Sequence, residues 1–387
     1  MKRILFDLTK TQQTSDGKFH GGGKYGIEVF KKLVELSPEK VAAYYNNNLY
    51  VNTEVLHLIK QFNIPTYFSN NISIIDASKE EGSFIYSPLY DMKYTLDKSV
   101  RIYVTLHGVR DLVLLSDKYQ YSYGGRHGIG EHCKAFLKSH LVKYGNKKRL
   151  ERAKTKYLSI LENEQVKYIT VSNHSKYAIL ASFPQIMPEQ INVYYSPSTI
   201  CNLPIKNIFS KYGKYWLVVS GNRWIKNAIR AIIAFDQLFS ERSSLQGKVV
   251  ITGIKSLNEL SVKISNTDRF ICVGYVDEEE LKSLYHYAYA LVYPTLDEGF
   301  GYPPIEAMYE KCPVIGSAVA SIPEVCGDSI LYFNPYSIAE IKMRILQFED
   351  EKVRNTFIER GVKRQQFIQQ RQEQDLKDFC VFLINQL

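Results

Sequence analysis

The sequence predicts an α/β protein of two doubly wound halves joined near residue 200, and three observations carry that prediction. Short apolar runs alternate with amphipathic stretches along the chain, the pattern of parallel strands covered by helices. At 387 residues the chain exceeds what one hydrophobic core usually supports. Between the halves, Ser196-Pro-Ser-Thr-Ile-Cys-Asn-Leu-Pro204 combines two prolines with little periodicity, as interdomain linkers do. The expected division is residues 1–196 as the first half, 197–212 as linker, 213–365 as the second half and 366–387 as a C-terminal helix packing back on the first half.

In the first half the candidate strands are Arg3–Leu8, Ser73–Asp76, Phe84–Ser87, Ile102–Leu106, Lys167–Val171 and Ile191–Tyr195. In the second they are Tyr215–Ser220, Lys248–Thr252, Arg269–Val273, Ala290–Pro294, Pro313–Gly316 and Ile330–Phe333. Helices between them carry capping signals. Asp277-Glu-Glu-Glu280 reads as a capping box ahead of Leu281, Leu284, Tyr285 and Ala288, which share one face. Ser337-Ile-Ala-Glu340 reads as another, ahead of Ile341, Ile345 and Phe348. From about Asp350 onward the chain has no proline and no strand signal, and it reads as helical.

Bulk properties narrow the function classes. Hydrophobic content of 45% argues for an ordered globular protein, and no apolar run approaches the roughly 18 residues that cross a bilayer. The start, Met1-Lys-Arg-Ile-Leu-Phe-Asp7, meets a charge after three apolar residues, unlike a secretory signal. Six cysteines stand apart without a CxxC pair, as expected of reduced thiols in a cytoplasmic protein. The net charge of +9 is partly concentrated between Lys138 and Lys156, in Lys143, Lys147, Lys148, Arg149, Arg152 and Lys154. That run reads either as a solvated helix face or as a surface for anionic lipid or an acidic polymer. No helix-turn-helix, zinc-finger or RNA-binding motif accompanies it, which speaks against nucleic acid.

The most informative stretch is Pro294-Thr-Leu-Asp-Glu298-Gly-Phe-Gly-Tyr-Pro-Pro-Ile-Glu306. A buried strand, a glycine-containing loop and a helix opened by Pro303 and Pro304 present backbone donors and a positive dipole to an anion. Glu298 and Glu306 flank that turn and accept hydrogen bonds from hydroxyl groups, and a phosphate with hydroxyls on both sides describes a nucleotide sugar. After the first strand of the second half, Ser220-Gly-Asn-Arg223-Trp-Ile-Lys226-Asn227 puts two cations where a diphosphate meets a helix start. Phe19-His-Gly-Gly-Gly-Lys24 follows the first strand of the chain, and its glycines permit close approach to a phosphate. His107 ends the strand Ile102–Leu106, where it either caps the strand or meets a ligand. His127, His132 and Cys133 match no zinc spacing and read better as part of a glycine-rich loop. Several tyrosines (86, 90, 119, 121 and 123) lie either in the core or where a sugar acceptor stacks.

At these residues the chain resembles a known family. Glu298 and Glu306, set in Tyr293-Pro-x4-Glu-Gly-Phe-Gly-x-Pro-Pro-x-Glu-Ala-Met308, look like the signature of retaining GT-B glycosyltransferases of the family 4, or group 1, type. Gly274-Tyr-Val, Cys312-Pro-Val-Ile-Gly-Ser, Ile322-Pro-Glu-Val and Lys226-Asn227 continue the likeness, as do Gly22-Gly23 and Val171-Ser172. The resemblance implies two Rossmann-like domains facing across a cleft. It also implies transfer of a sugar from a nucleotide-diphosphate donor to a glycan or lipid-linked acceptor, with retention and without a metal or other cofactor. By the same resemblance the catalytic groups are Glu298, His107 and Lys226. Glu298 and the N–H groups of Gly299, Phe300 and Gly301 would hold the donor sugar. Glu306 would hold the ribose, while Lys226, Arg223 and Asn227 would face the diphosphate, with Gly22 and Gly23 closing on it. Because Pro303 and Pro304 lack N–H groups, Tyr302 takes up phosphate contact. Polysaccharide biosynthesis at the cytoplasmic membrane face is the implied setting. A nucleotide-sugar epimerase or hydrolase on the same fold is the competing expectation, and a basic anionic-surface or nucleic-acid-binding protein is a third.

Overall fold

The computed structural model describes residues 2–12, 21–82, 84–89, 99–123, 129–198, 204–207 and 209–387. The chain divides into two compact units, one of Met1–Leu112, Glu151–Thr199 and Gln369–Leu387, the other of Val113–Leu150 and Ile200–Ile368.

The first unit is built on seven parallel strands: β1 (Ile4–Asp7), β2 (Val41–Tyr45), β3 (Thr66–Phe68), β4 (Phe84–Ser87), β5 (Ile102–Leu106), β6 (Val166–Thr170) and β7 (Ile191–Val193). Their order in the sheet is β3-β2-β1-β4-β5-β6-β7, so the winding reverses between β1 and β4. Every residue of β1, β2, β4 and β5 is buried, as strands covered on both faces require. The crossovers are α1 (Gly21–Leu36), α2 (Thr53–Gln61), α3 (Ile74–Glu81), α4 (Arg110–Val113), α5 (Ile129–Leu161) and α6 (Asn173–Ser182).

Two strands escape the sequence reading and one expected strand is a helix. β2 is Val-Ala-Ala-Tyr-Tyr, whose alanines hide its strand character, and β3 has only three residues, at the sheet edge. Ser73–Asp76, expected as a strand, is the start of α3. Ser73 Oγ accepts from the Asp76 N–H at 3.1 Å, and Gly82 ends the helix at φ 61°. The capping serine outweighs the two isoleucines beside it.

The second unit carries six parallel strands: β8 (Tyr215–Val218), β9 (Lys248–Thr252), β10 (Phe270–Gly274), β11 (Ala290–Tyr293), β12 (Val314–Ser317) and β13 (Leu331–Phe333). Their order is β10-β9-β8-β11-β12-β13, with the reversal between β8 and β11. Around them lie α7 (Ala228–Glu241), α8 (Glu278–Tyr287), α9 (Tyr302–Tyr309), α10 (Ile322–Cys326) and α11 (Ile338–Phe348), and α12 (Glu351–Ile384) runs through both units. Asp277 and Glu280 form the expected capping box of α8. At α11 only half of the second box forms, because Glu340 Oε2 accepts from the Asn334 N–H rather than from Ser337. The core is centred on Trp216, Phe235, Ile229, Ile232, Val249 and Phe333. Fully burying each such side chain contributes about 1.5–3 kcal/mol.

Residues 113–150, read from the sequence as part of the first half, group with the second unit. The Ser261 N–H donates to Ser122 O at 2.8 Å, and Tyr119 and Tyr123 pack on the core of that unit. In the first unit, residues 369–387 of the C-terminal stretch are anchored through polar contacts. Asp375 Oδ2 accepts from the Tyr195 N–H at 2.8 Å, and Gln372 Nε2 donates to Ser196 O at 2.6 Å. Phe379 adds ring contacts with Tyr86 and Tyr194.

Candidate active site

Where a parallel sheet reverses its winding, the loops after the two diverging strands splay apart and leave room for a ligand at their carboxyl ends. In the second unit those loops follow β8 and β11. They carry Arg223, Lys226 and Asn227 on one side and Glu298 to Tyr302 on the other.

The two loops are stitched together. The Leu296 N–H donates to Ile225 O at 2.8 Å, and Asn227 Nδ2 donates to Pro294 O at 2.9 Å. Ser321 Oγ donates to Glu298 O and Phe300 O from the start of α10. Gly301 turns the chain into α9 at φ 99°, a conformation that side chains resist, and a Cβ there would lie 2.5 Å from Ile322 Cδ1.

Three donors converge on one oxygen of Glu298. Lys226 Nζ is 2.5 Å from Oε1, Tyr293 OH donates to it at 2.7 Å, and Thr295 Oγ1 donates at 2.8 Å. Lys226 also donates to Tyr293 OH at 2.8 Å. All three bonds fall on Oε1, and Oε2 takes none of them. Burial opposes ionisation of Glu298, but the Lys226 charge and the three hydrogen bonds prevail and hold its carboxyl below the usual carboxylate value. Tyr293 moves the other way: burial, then the Glu298 charge and its hydrogen bond, push the phenol well above its usual value, with a small opposing effect from Arg223. The hydroxyl therefore remains a donor at any physiological pH.

The other residues expected at the site lie on the same two loops and on α9, and the Asn227 amide, expected to face a diphosphate, is bonded to Arg230, Pro294 O and Pro335 O. Arg223 is exposed, and Asn227 opens α7 from a left-handed conformation at φ 58°. Glu306 lies on α9, where Tyr285 OH donates to its Oε2 at 3.2 Å. Gly299, Phe300 and Gly301 form the turn, and Tyr302, Pro303 and Pro304 open the helix, as the two prolines suggest.

In the first unit, Gly22 and Gly23 belong to the first turn of α1 rather than to a loop before it. A Cβ at Gly22 would fall 2.5 Å from Leu89 Cδ2, so this turn sits tightly against the segment after β4. His107, at the end of β5, donates from Nε2 to Pro88 O at 2.8 Å and meets the Tyr25 ring edge-on at 4.7 Å. The glycine turn and His107 are thus brought to the same Pro88-Leu89 segment, beside the reversal of the first sheet.

Sequence reasoning missed four contributors here. Tyr293 looks apolar at the end of a buried strand, although an ionisable hydroxyl at that position is a usable signal. Thr295 looks like an ordinary loop residue. Asp117 and Arg230 form a buried bidentate pair that spacing alone does not suggest. Of the tyrosines proposed for acceptor stacking, Tyr86 is fully buried and bonded through its hydroxyl to Thr105 Oγ1, which makes it core. Tyr90 lies outside the described residues. So do His127 and the side chains of His132 and Cys133, while among the described residues no cluster of three His, Cys, Asp or Glu is placed to hold a metal ion. Among the described residues no helix is long and apolar enough to cross a membrane.

Comparison with known proteins extends the picture. Residues 204–364 match the family described as Glycosyl transferases group 1. The O-antigen chain mannosyltransferase RfbU of Salmonella typhimurium is 28% identical over 190 residues, 48% of this chain and 52% of that protein. The O-antigen chain mannosyltransferase B of Escherichia coli is 30% identical over 164 residues, 40% of this chain and 43% of that one. This chain therefore spans about half the length of these curated relatives. Among solved structures, Anabaena HepE in complex with UDP-glucose aligns with a TM-score of 0.62 at 14% identity, over 100% of both chains. WaaG, a glycosyltransferase involved in lipopolysaccharide biosynthesis, aligns with a TM-score of 0.62 at 12% identity, over 93% of this chain and 94% of that one. Among the described residues, two parallel sheets of seven and six strands with their covering helices match these structures in the GT-B fold.

Proposed function

We propose that this chain, whose residues 204–364 are a group 1 glycosyltransferase domain, moves a hexose from a nucleotide-diphosphate donor to a glycan or lipid-linked saccharide. The observation that carries the reading is the convergence of Lys226, Tyr293 and Thr295 on Glu298 Oε1 at the reversal of the second sheet. The two curated relatives described above are named as mannosyltransferases of O-antigen chains, which makes mannose the first sugar to test and a bacterial surface polysaccharide the first acceptor class.

The chemistry divides among the residues as follows. Departure of the nucleoside diphosphate loads negative charge on the phosphates and positive charge on the anomeric carbon. Lys226 and Arg223, with the donors at the start of α9, stabilise the first charge. Glu298, kept ionised by Lys226, offers Oε2 to the hydroxyls of the donor sugar. Glu306 binds the ribose, and Gly22, Gly23 and His107 are assigned to contact with the donor. We assign retention of anomeric configuration, with a leaving phosphate oxygen taking the acceptor proton. No metal is needed in this scheme, because fixed cations and helix donors supply the electrostatic work. The assigned setting is the cytoplasmic face of a membrane, where lipid-linked acceptors are extended.

The test is thermal-shift screening against GDP-mannose, UDP-glucose and dTDP-glucose, followed by transfer assays in EDTA. A ligand at 100 times its Kd stabilises the fold by about 2.7 kcal/mol, which is readily measured. Absence of stabilisation by any nucleotide sugar overturns the function. Transfer that EDTA abolishes overturns metal independence alone.

A further inference from the structure

Resting on the glycosyltransferase reading, we propose that Asp117 and Arg230 are positioning residues of the donor site, acting through Asn227. The pair is nearly excluded from solvent, with Arg230 at 5% and Asp117 at 7% exposure. Arg230 Nη1 and Nη2 donate to the two carboxylate oxygens of Asp117 at 3.0 and 2.8 Å. The guanidinium also lies over the rings of Tyr119 and Tyr336, at 4.8 and 5.2 Å from their centres. A fork held on so many sides has one orientation.

That orientation is passed on. Arg230 Nη1 also donates to Asn227 Oδ1 at 2.7 Å. With its oxygen occupied, the Asn227 amide presents Nδ2 to the opposite side, where it donates to Pro294 O and Pro335 O at 2.9 Å each. Pro294 begins the loop that carries Glu298, and Asn227 directly follows Lys226. One amide therefore ties together the backbone beside Lys226 and the loop beneath Glu298, whose side chains meet at 2.5 Å. Asp117 fixes Arg230, Arg230 fixes the amide, and the amide fixes the separation of the two groups. A pair that only fastened residues 113–123 to the rest of the second unit would have no need of the bond to Asn227.

Steady-state kinetics with the transferred nucleotide sugar tests this on Arg230→Met, Arg230→Lys, Asp117→Asn and Asn227→Gly in the full chain. Asn227→Gly keeps the left-handed backbone and removes only the amide. Misplacement of a reacting group by about 1 Å costs on the order of 100-fold. The expectation is a kcat loss of that order in each variant, with the KM for acceptor unchanged. In Asn227→Gly the further change Arg230→Met should cost no more kcat, because the path is already cut. A fastening role alone gives a lower Tm with unchanged kcat per folded enzyme, and that result overturns the proposal. So do additive kcat losses in the double variant. Where Arg230→Met does not fold, Asn227→Gly decides, and wild-type kcat in it is fatal. A wild-type protein that binds no nucleotide sugar defeats the functional reading first, and the proposal with it.

Discussion

Lys226 Nζ lies 2.5 Å from Glu298 Oε1, with side-chain exposures of 8% and 15%. A buried pair of this kind contributes little net stability by itself, but removal of one partner leaves an uncompensated charge and costs about 3–5 kcal/mol. Its value lies in placement. In the proposed function the fixed cation meets the diphosphate and the charged carboxylate meets the sugar hydroxyls.

Glu298→Gln keeps the shape of the side chain and removes its charge. Lys226 keeps its bond to Tyr293 OH, so the fold should survive with a loss at the lower end of that range, about 3 kcal/mol. Transfer should fall at least 100-fold, since removing one preorganised electrostatic group commonly costs about 2.7–4 kcal/mol of transition-state stabilisation. Lys226→Ala should do the same to transfer and lose more stability, leaving Glu298 buried with only Tyr293 and Thr295. Circular dichroism and initial rates on purified variants check both. Wild-type rates in the two together would remove the pair from the mechanism.

The same pair predicts an acid transition. The folded carboxyl of Glu298 titrates below its ordinary value of 4.5. Its contribution to stability is therefore complete above the unfolded value and disappears as the pH falls through the folded one. Urea denaturation should show a wild-type advantage over Glu298→Gln that is constant above about pH 6 and shrinks below the ordinary carboxylate range. An advantage that grows toward acid would mean that the carboxyl is raised instead.

Gly301→Ala tests the turn itself. The residue combines φ 99° with a Cβ position 2.5 Å from Ile322 Cδ1, so both backbone and packing resist a methyl group. A cost of about 1–3 kcal/mol follows from the strain. The loop that carries Glu298 must shift to relieve it, and nucleotide-sugar affinity should fall with stability. Isothermal titration alongside thermal unfolding measures both, and an alanine variant that matches wild type in both would show that the turn has slack.

Most of this architecture could be read from the chain because strong local signals agree with it. Mostly apolar runs such as Ile102–Leu106 and Ala290–Tyr293 belong to strands buried on both faces, and the Pro303-Pro304 pair sits in the first turn of a helix. Reading failed where two local signals conflict or where the signal is long-range. At Ser73–Asp76 a cap and a pair of isoleucines compete, and β2 hides behind its alanines. Nothing local ties Asp117 to Arg230, 113 residues apart in sequence. Residues 113–150 read as part of the first half for the same reason, because sequence order carries no mark of the unit in which a segment packs.

The basic run offers the last prediction, and the structure chooses its residues. Lys147, Lys148 and Arg152 are exposed on α5, whereas Arg149 donates to Leu115 O at 3.1 Å and Asn146 bonds Ser116. Among the described side chains of the run, the first three are therefore the exposed cations without a bond to the chain that could meet an anionic lipid surface. Each contributes about 1 kcal/mol near such a surface, so replacing all three by glutamine should weaken partitioning to phosphatidylglycerol vesicles on the order of 100-fold. Raising the salt should release the wild type, because the attraction decays over a Debye length of about 10 Å at 0.1 M. Sedimentation with vesicles at low salt measures it, with neutral phosphatidylcholine as the control. Equal sedimentation of the wild type and the triple variant would assign the run to solvent.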